Sequence, residues 1–390
     1  MARATLKRGR EGPVRGGNPW IFSQAIERIE PASLEAGALV SVHDAAGALI
    51  GMGYCNLATT IAIRMLAWGE TPPIEELVMR RLKGAIGLRK RFIRDDTNAY
   101  RLVNGDGDGL SGVVVDRFGD VLVVQILTAG ADRMRATIVA ALNELIRPGS
   151  IIERSHGAVR KQEGLDDHIA VLAGESVTEI IAVENGIKIK IDFEHGQKTG
   201  YFLDQRDNRA MAGSIASGAR VLDAFCYQGG FSLAALAGGA SKVVAVDTSA
   251  RALGVARQNL ELNGHSVSEV EFVHGEAGKF MAETANRFDL IVLDPPPLAR
   301  SRGDAERAGR LYVELNAVAM RALAPGGRLM TFSCSTHFRA DDFVRAVRFA
   351  ASNAGRTLRL LAHLGTGPDH PVLLGHGEGE YLTGLLLADL

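Results

Sequence analysis

Val221-Leu-Asp223-Ala-Phe225-Cys-Tyr227-Gln-Gly229-Gly230-Phe-Ser232 is the stretch on which the reading of this chain turns. An apolar run ends in an acid, and two glycines follow that permit a tight turn and close backbone approach before a helix starts. The pattern predicts a strand, a nucleotide-type loop and a helix N-terminus. Because it lacks Gly-x-Gly-x-x-Gly, a dinucleotide-binding dehydrogenase is disfavoured. Apolar runs recur at residues 242–246, 270–273, 290–293 and 328–332, with helical patterns between them, for example at 250–263 and 310–324. From about residue 195 the chain therefore reads as βαβ units of an α/β fold with a parallel sheet. In such a sheet ligands bind beyond the carboxyl ends of the strands.

Each predicted strand end carries a candidate residue. The second ends in Asp247-Thr248-Ser249, where a carboxylate can accept both hydroxyls of a ribose; the plainer role is a helix N-cap, and Asp247 and Ser249 can share the two. The third ends near Glu276-Ala277, where Glu276 either faces an adenine amino group or is a solvated loop acid. The fourth ends in Asp294-Pro295-Pro296-Pro297. Prolines fix φ and deny the preceding residue its helical region, so Asp294 is held on a stiff, extended rim. The fifth ends in Ser333-Cys334-Ser335. Small hydroxyl neighbours and a helix expected from Asp341-Asp342 distinguish Cys334 from an inert core cysteine, because a nearby helix N-terminus favours the thiolate. Cys226, inside the glycine loop, has the weaker claim as nucleophile, and Cys55 almost none.

The N-terminal half has another texture. Short strand-like pieces at 38–42, 49–54 and 59–66 suggest a β-rich module, closed by Pro72-Pro73. A helix is expected over about 74–93, then strands at 111–116 and 121–127, a helix near 133–146, and a hairpin turning at Glu184-Asn185-Gly186. The chain is 390 residues long, with 46% hydrophobic and 23% charged residues and a formal net charge of −1, the composition of a folded globular protein. No apolar run approaches the length of a membrane span, and no signal peptide is evident, so a cytoplasmic protein without a membrane partner is expected. Three scattered cysteines exclude a disulfide scaffold or a Cys-x-x-Cys zinc site, and the Asn104-Gly-Asp-Gly-Asp-Gly109 stretch lacks the twelfth-position Glu of a calcium loop, so no metal is expected.

Positive charge is concentrated locally. Residues 1–15 carry Arg3, Lys7, Arg8, Arg10 and Arg15 against Glu11, and residues 80–94 carry Arg80, Arg81, Lys83, Arg89, Lys90, Arg91 and Arg94 with no acid. A solvated helix face is the plain alternative, but so one-sided a run favours contact with nucleic-acid phosphates.

Asp223-x-Phe225-x-x-x-Gly229-Gly230-Phe-Ser232, Asp247, Asp294-Pro295-Pro296 and Ser333-Cys334-Ser335 together resemble the RlmI-like family of class I S-adenosylmethionine-dependent methyltransferases acting on cytosine C5 of 23S ribosomal RNA. Residues 196–206, 104–120 and 17–22 extend the likeness over nearly the whole chain. The resemblance implies a PUA-like RNA-binding domain (1–73), a central α+β domain (74–194) and a Rossmann-like methyltransferase domain (195–390). It implies S-adenosylmethionine held by Phe202, Gln205, Asp223, Phe225, Tyr227, Gly229, Gly230, Asp247, Thr248, Ser249, Glu276, Ala277 and Asp294. It also implies Cys334 as nucleophile with Asp294 beside it, 23S rRNA contacted by Arg8, Arg10, Arg15, Arg80, Arg81, Lys83, Arg89, Lys90 and Arg91, and a homodimer as an allowed assembly. Wider RNA cytosine C5 methyltransferases place a second cysteine after the proline of the Asp motif; Pro296 and Pro297 stand there in this chain. Two rival readings stay open: methylation of an exocyclic amine of adenine or guanine at Asp294-Pro-Pro, which needs no cysteine, and a non-catalytic RNA-binding or assembly factor.

Overall fold

The computed structural model describes residues 1–299, 301–335 and 337–390, with the side chain of residue 302 left aside. The chain forms two compact units: Met1–Ile180 with Ile191–Leu203 and Pro368–Gly379, and Ile181–Lys190 with Asp204–Gly367 and Glu380–Leu390.

The first unit begins with a six-stranded sheet built from β1 (Ala2–Leu6), β2 (Trp20–Phe22), β3 (Ile26–Glu30), β4 (Ala38–His43), β5 (Leu49–Cys55) and β6 (Ile61–Trp68), in the order β2-β6-β5-β4-β1-β3. The last three match the strand-like pieces expected at 38–42, 49–54 and 59–66. β1 does not stand out in the sequence, since its alternation Ala2-Arg3-Ala4-Thr5-Leu6 carries a single large apolar residue. It is nonetheless interior to the sheet, parallel to β4 and antiparallel to β3, because Ala4 and Leu6 are the inward positions of a period-two strand. The helix Ile74–Phe92 follows, then β7 (Ala99–Asn104), β8 (Val113–Phe118), β9 (Val121–Ile126), β10 (Ser150–Ser155) and β11 (His168–Gly174) in a second sheet ordered β11-β10-β9-β8-β7. One apolar cluster joins Met52, Tyr54 and Leu66 to Leu82, Leu102, Val115 and Leu122, so the two sheets share a core. The hairpin β12 (Glu179–Glu184) and β13 (Ile187–Asp192) turns at Asn185 and Gly186, with φ of 51° and 80°, the paired left-handed conformation that Asn-Gly supplies.

The second unit is organised by a seven-stranded sheet: β14 (Arg220–Ala224), β15 (Lys242–Asp247), β16 (Val270–His274), β17 (Phe288–Leu293), β18 (Leu323–Ser333), β19 (Leu358–Leu364) and β20 (Thr383–Asp389), ordered β16-β15-β14-β17-β18-β20-β19. β14 to β18 are mutually parallel where they pair, and β20 is antiparallel to both β18 and β19. The parallel strands are buried apart from their first or last residues along β14, β15 and most of β17, as strands covered on both faces must be. The chain steps outward from β14 to β15 and β16, then crosses back to β17 on the other side. That reversal between β14 and β17 is the topological switch point where ligands of open α/β sheets bind. Registers Ala224↔Val246, Ala224↔Leu293 and Leu293↔Thr331 set the carboxyl ends of four strands on one sheet edge. Among the described residues no helix is long and apolar enough to cross a membrane.

Candidate active site

The loop after β14 is conformationally unusual. Phe225, Tyr227 and Gly229 have φ of 66°, 49° and 77°, left-handed positions that cost a non-glycine residue of order 1 kcal/mol or more and persist at sites that need them. Backbone bonds hold the loop: the Phe225 and Cys226 amides both donate to the Val246 carbonyl at 3.0 Å, and the Tyr227 amide donates to Asp247 Oδ2 at 2.9 Å. Gly229 is required twice over, by its φ and because a Cβ there would lie 3.0 Å from Ala256 Cβ on the helix Ala250–Leu262. The helix Gly230–Ala237 starts at once.

Asp223 is 1% exposed, and its Oδ2 accepts from the Ser232 amide at 2.9 Å and hydroxyl at 2.6 Å. It pins the first turn of that helix, so its Oδ2 serves the protein's own backbone and Ser232. Burial pushes its carboxyl up to about 6, although the Ser232 bonds pull the other way.

Asp247 and Ser249 divide the two roles that the sequence left open. Ser249 is the N-cap of Ala250–Leu262, accepting from the Ala252 amide at 3.2 Å, while Asp247 bridges the loop to that cap, accepting from Tyr227 and, at 2.8 Å, from the Ser249 amide. Each oxygen of a carboxylate has a second lone pair, so Asp247 can still receive ribose hydroxyls. The exposed Thr248 receives His274 Nε2 on its carbonyl at 2.9 Å, Glu276 is exposed and paired with Lys279 at 2.8 Å, and Ala277 is buried at the start of its helix. Gln205 is buried, its Oε1 taken by the Asn208 amide at 2.6 Å, so it buttresses the helix Arg206–Ser214. Phe202 lies in the first unit, with the Lys198 ammonium 4.4 Å above its ring.

The Asp294 amide donates to the Ala224 carbonyl at 3.4 Å, placing the acid directly beside the loop of β14. The half-buried Cys334 thiol donates to the Pro295 carbonyl at 3.7 Å. The two motifs read as chemistry-bearing, at the ends of β17 and β18, are therefore in contact. Burial pushes the other two thiols up, Cys55 to about 11 and Cys226 well above the ordinary thiol range.

Three further residues shape the site: Tyr312 lies outside the sequence motifs, while Ser335 and Gln228 stand within them without an assigned role. Tyr312 on the helix Ala305–Ala322 bonds both serines flanking Cys334, and Ser335 caps the chain after the prolines by accepting from the Leu298 and Ala299 amides. A signal existed: Ala308, Tyr312, Asn316 and Ala319 fall on one buried stripe at helical spacing, and two of them are polar. Gln228, in the β14 loop, is the third. It is buried, its Nε2 donates to the Tyr227 hydroxyl at 3.2 Å, and its Oε1 has no hydrogen-bond partner among the described residues. An orphaned buried acceptor of this kind suits a ligand rich in donors, and S-adenosylmethionine carries an ammonium, two ribose hydroxyls and an adenine amine.

The basic helix needs a correction. Arg89 is 1% exposed and makes a two-pronged ion pair with Asp108 at 2.6 and 2.8 Å, while also donating to the carbonyls of Arg101 and Asp369. It cannot reach a phosphate, because it continues the buried stripe Val78, Leu82, Ala85. Arg81 is half-buried and donates to the Leu66 carbonyl at 3.0 Å, and Arg80 pairs with Glu70. Lys83, Lys90 and Arg91 are exposed, as are Arg8, Arg10 and Arg15, the last paired with Asp44. The Asn104 to Gly109 segment supplies the counter-charge: Asp108 takes Arg89, and Asp106 accepts from the Trp20 indole at 3.2 Å.

The sheet order and the loop define a class I methyltransferase, with an antiparallel strand inserted beside the fifth where the dinucleotide fold has none. Comparison with known proteins agrees. A family profile described as S-adenosylmethionine-dependent methyltransferase matches residues 108–371, and one described as a PUA-like domain matches residues 4–68. Proteins named ribosomal RNA large subunit methyltransferase I are similar over almost the full length: that of Aeromonas hydrophila is 41% identical and that of Escherichia coli 39%, each over 98% of both chains. The fold also matches a protein of Streptococcus mutans named a SAM-dependent methyltransferase, with a TM-score of 0.84 and 21% identity over the whole of both chains. The chain belongs to the ribosomal RNA large subunit methyltransferase I family and is an S-adenosylmethionine-dependent enzyme.

Proposed function

We propose that the enzyme methylates C5 of a cytosine in 23S ribosomal RNA through a transient bond between the Cys334 sulfur and C6 of the ring. The observation that carries this reading is the contact of the Cys334 thiol with the Asp294-Pro295 rim, whose amide in turn bonds to the end of β14. Cytosine C5 is a weak nucleophile, and a thiolate adding at C6 pushes an electron pair onto it. Asp294, one residue from that contact, holds N3 by a hydrogen bond or proton as the ring gains charge. When bound, S-adenosylmethionine supplies the methyl group that C5 takes up, and leaves as the thioether. A base then takes the C5 proton while the C6–S bond breaks with its electron pair returning to sulfur, and N3 returns any proton to Asp294, which restores the ring and the thiolate. Asp247, Glu276 and Gln228 are the acceptors assigned to the methyl donor, around the backbone of Phe225 to Gly230.

The chain divides by task in this reading. Residues 1–73 form the RNA-recognition module, 74–194 a central support and 195–390 the catalytic part. Exposed Arg8, Arg10, Arg15, Lys83, Lys90 and Arg91 take phosphates of the rRNA, and the enzyme works in the cytoplasm. The test is RNA carrying 5-fluorocytosine, whose fluorine cannot leave as a proton. A covalent adduct mapped to Cys334 and loss of methylation in Cys334→Ala are expected. Full methylation by Cys334→Ala, with the methyl on an exocyclic amine, would overturn the reading in favour of the amine reaction.

A further inference from the structure

Cys334 is flanked by two serines that share one partner. Ser333 Oγ donates to the Tyr312 hydroxyl at 2.8 Å, and the Tyr312 hydroxyl lies 2.9 Å from Ser335 Oγ. Ser335 Oγ also accepts from the Leu298 and Ala299 amides at 3.0 and 3.2 Å, the first residues after the three prolines. Ser333, Ser335 and Tyr312 are all buried, whereas Cys334 between them is half-buried and turned to the Pro295 carbonyl. One buried phenol thus ties the end of β18 to itself on both sides of the cysteine, and through Ser335 to the segment that begins with Asp294.

The tyrosine is well fixed. Its ring stacks on Phe338 at 5.1 Å and meets Phe343 edge-on at 5.2 Å, on the core side of the sheet. Burial keeps the phenol in its protonated, donor-bearing form. A hydroxyl in this position does not touch the reacting atoms, and the fold alone does not demand one, since phenylalanine would keep both ring contacts.

We infer that Tyr312 is a positioning residue for methyl transfer: by bonding Ser333 and Ser335 together, it fixes the direction of the Cys334 thiol against the Asp294 rim. The inference rests on the reading of Cys334 as nucleophile. A thiol left free to swing in the loop would still react with small reagents but would miss C6 of a docked ring.

The experiment uses the full-length enzyme, protein-free 23S rRNA and S-adenosylmethionine, comparing the wild type with Tyr312→Phe, Ser335→Ala and Cys334→Ala. For Tyr312→Phe, kcat is expected to fall ~10²-fold, the loss typical of a small misplacement of a reacting group. KM for RNA and for S-adenosylmethionine should stay within about twofold, because neither binding surface changes. Alkylation of Cys334 by iodoacetamide should proceed at least as fast as in the wild type, which separates lost aim from lost reactivity. Wild-type kcat in Tyr312→Phe overturns the inference, as does a fall in kcat matched by an equal loss of folded enzyme in a thermal melt. If Tyr312→Phe does not fold, Ser335→Ala is read by the same criteria, with wild-type kcat again overturning it. Cys334→Ala distinguishes the two levels of the argument. Full activity there ends the nucleophile reading itself, whereas an inactive Cys334→Ala beside a fully active Tyr312→Phe ends only the positioning role.

Discussion

The Arg89 guanidinium and the Asp108 carboxylate lock together by two bonds of 2.6 and 2.8 Å, with side chains 1% and 5% exposed. A basic run with the character of an RNA-facing surface thus contributes one of its cations to the interior. Removing one partner of such a pair leaves an uncompensated buried charge. Arg89→Met is expected to destabilise the protein by about 3–5 kcal/mol in urea unfolding, and Arg89→Met with Asp108→Asn to recover part of that loss. A cost under about 1 kcal/mol for the single change would show that the pair is not what holds this part of the first unit.

The exposed cations of the same helix should behave differently. Replacing Lys83, Lys90 and Arg91 by Gln removes charges that pair with no acid in the described structure at positions open to solvent. For every phosphate that the variant no longer neutralises, the dependence of log K on log salt should flatten by about 0.7–0.9. S-adenosylmethionine affinity should not move. An unchanged salt slope in filter binding would remove this helix from the RNA surface.

Asp223 predicts a pH effect on stability. Its carboxyl is raised to about 6 in the folded state, from an ordinary value of 3.8, chiefly by burial. The folded chain therefore keeps this proton where the unfolded chain has already released it. Stability contributed by the group is present at low pH, declines as pH rises from about 4 to about 6, and stays lost above that. The slope is about 1.4 kcal/mol per pH unit for one proton. Asp223→Asn should abolish that slope, so the difference between wild type and variant shifts between about pH 4 and about pH 6 and is constant on either side of that window. Parallel curves in urea titrations from pH 4 to 7 would refute the assignment.

The three cysteines should label in a defined order. Burial holds Cys55 and Cys226 as thiols, at about 11 and well above the ordinary range respectively, while Cys334 is only half-buried. At pH 7.5, limited alkylation followed by peptide mapping should find Cys334 modified first, since the thiolate is the reacting form. Prior labelling of Cys226 would contradict both the burial order and the choice of nucleophile.

Much of the second unit was legible in the chain itself. Apolar runs at 220–224, 242–246, 270–273 and 290–293 coincide with β14 to β17, because strands buried on both faces admit little but aliphatic side chains. Punctuation by glycine and proline then located the loop of Phe225 to Gly230 and the rim of Asp294, since local backbone chemistry fixes such turns whatever surrounds them. β1, β10, β11 and β19 were not legible: their polar or interrupted patterns acquire strand character only from the neighbours they pair with.

Side-chain roles split along the same line. The sequence determined which residue types stand at the carboxyl ends of the strands, because chain order and strand period decide that much. Only the tertiary structure decided that Arg89 faces inward, that Asp223 serves Ser232, and that Tyr312 reaches both neighbours of Cys334. The first and last depend on which other segment packs against a given face, Asp108 against one helix and Ser333 with Ser335 against another, and the second on how the loop of β14 folds back on its strand. Helical spacing marks which face is buried, but the partner that meets a side chain there comes from another segment, and no local pattern names it.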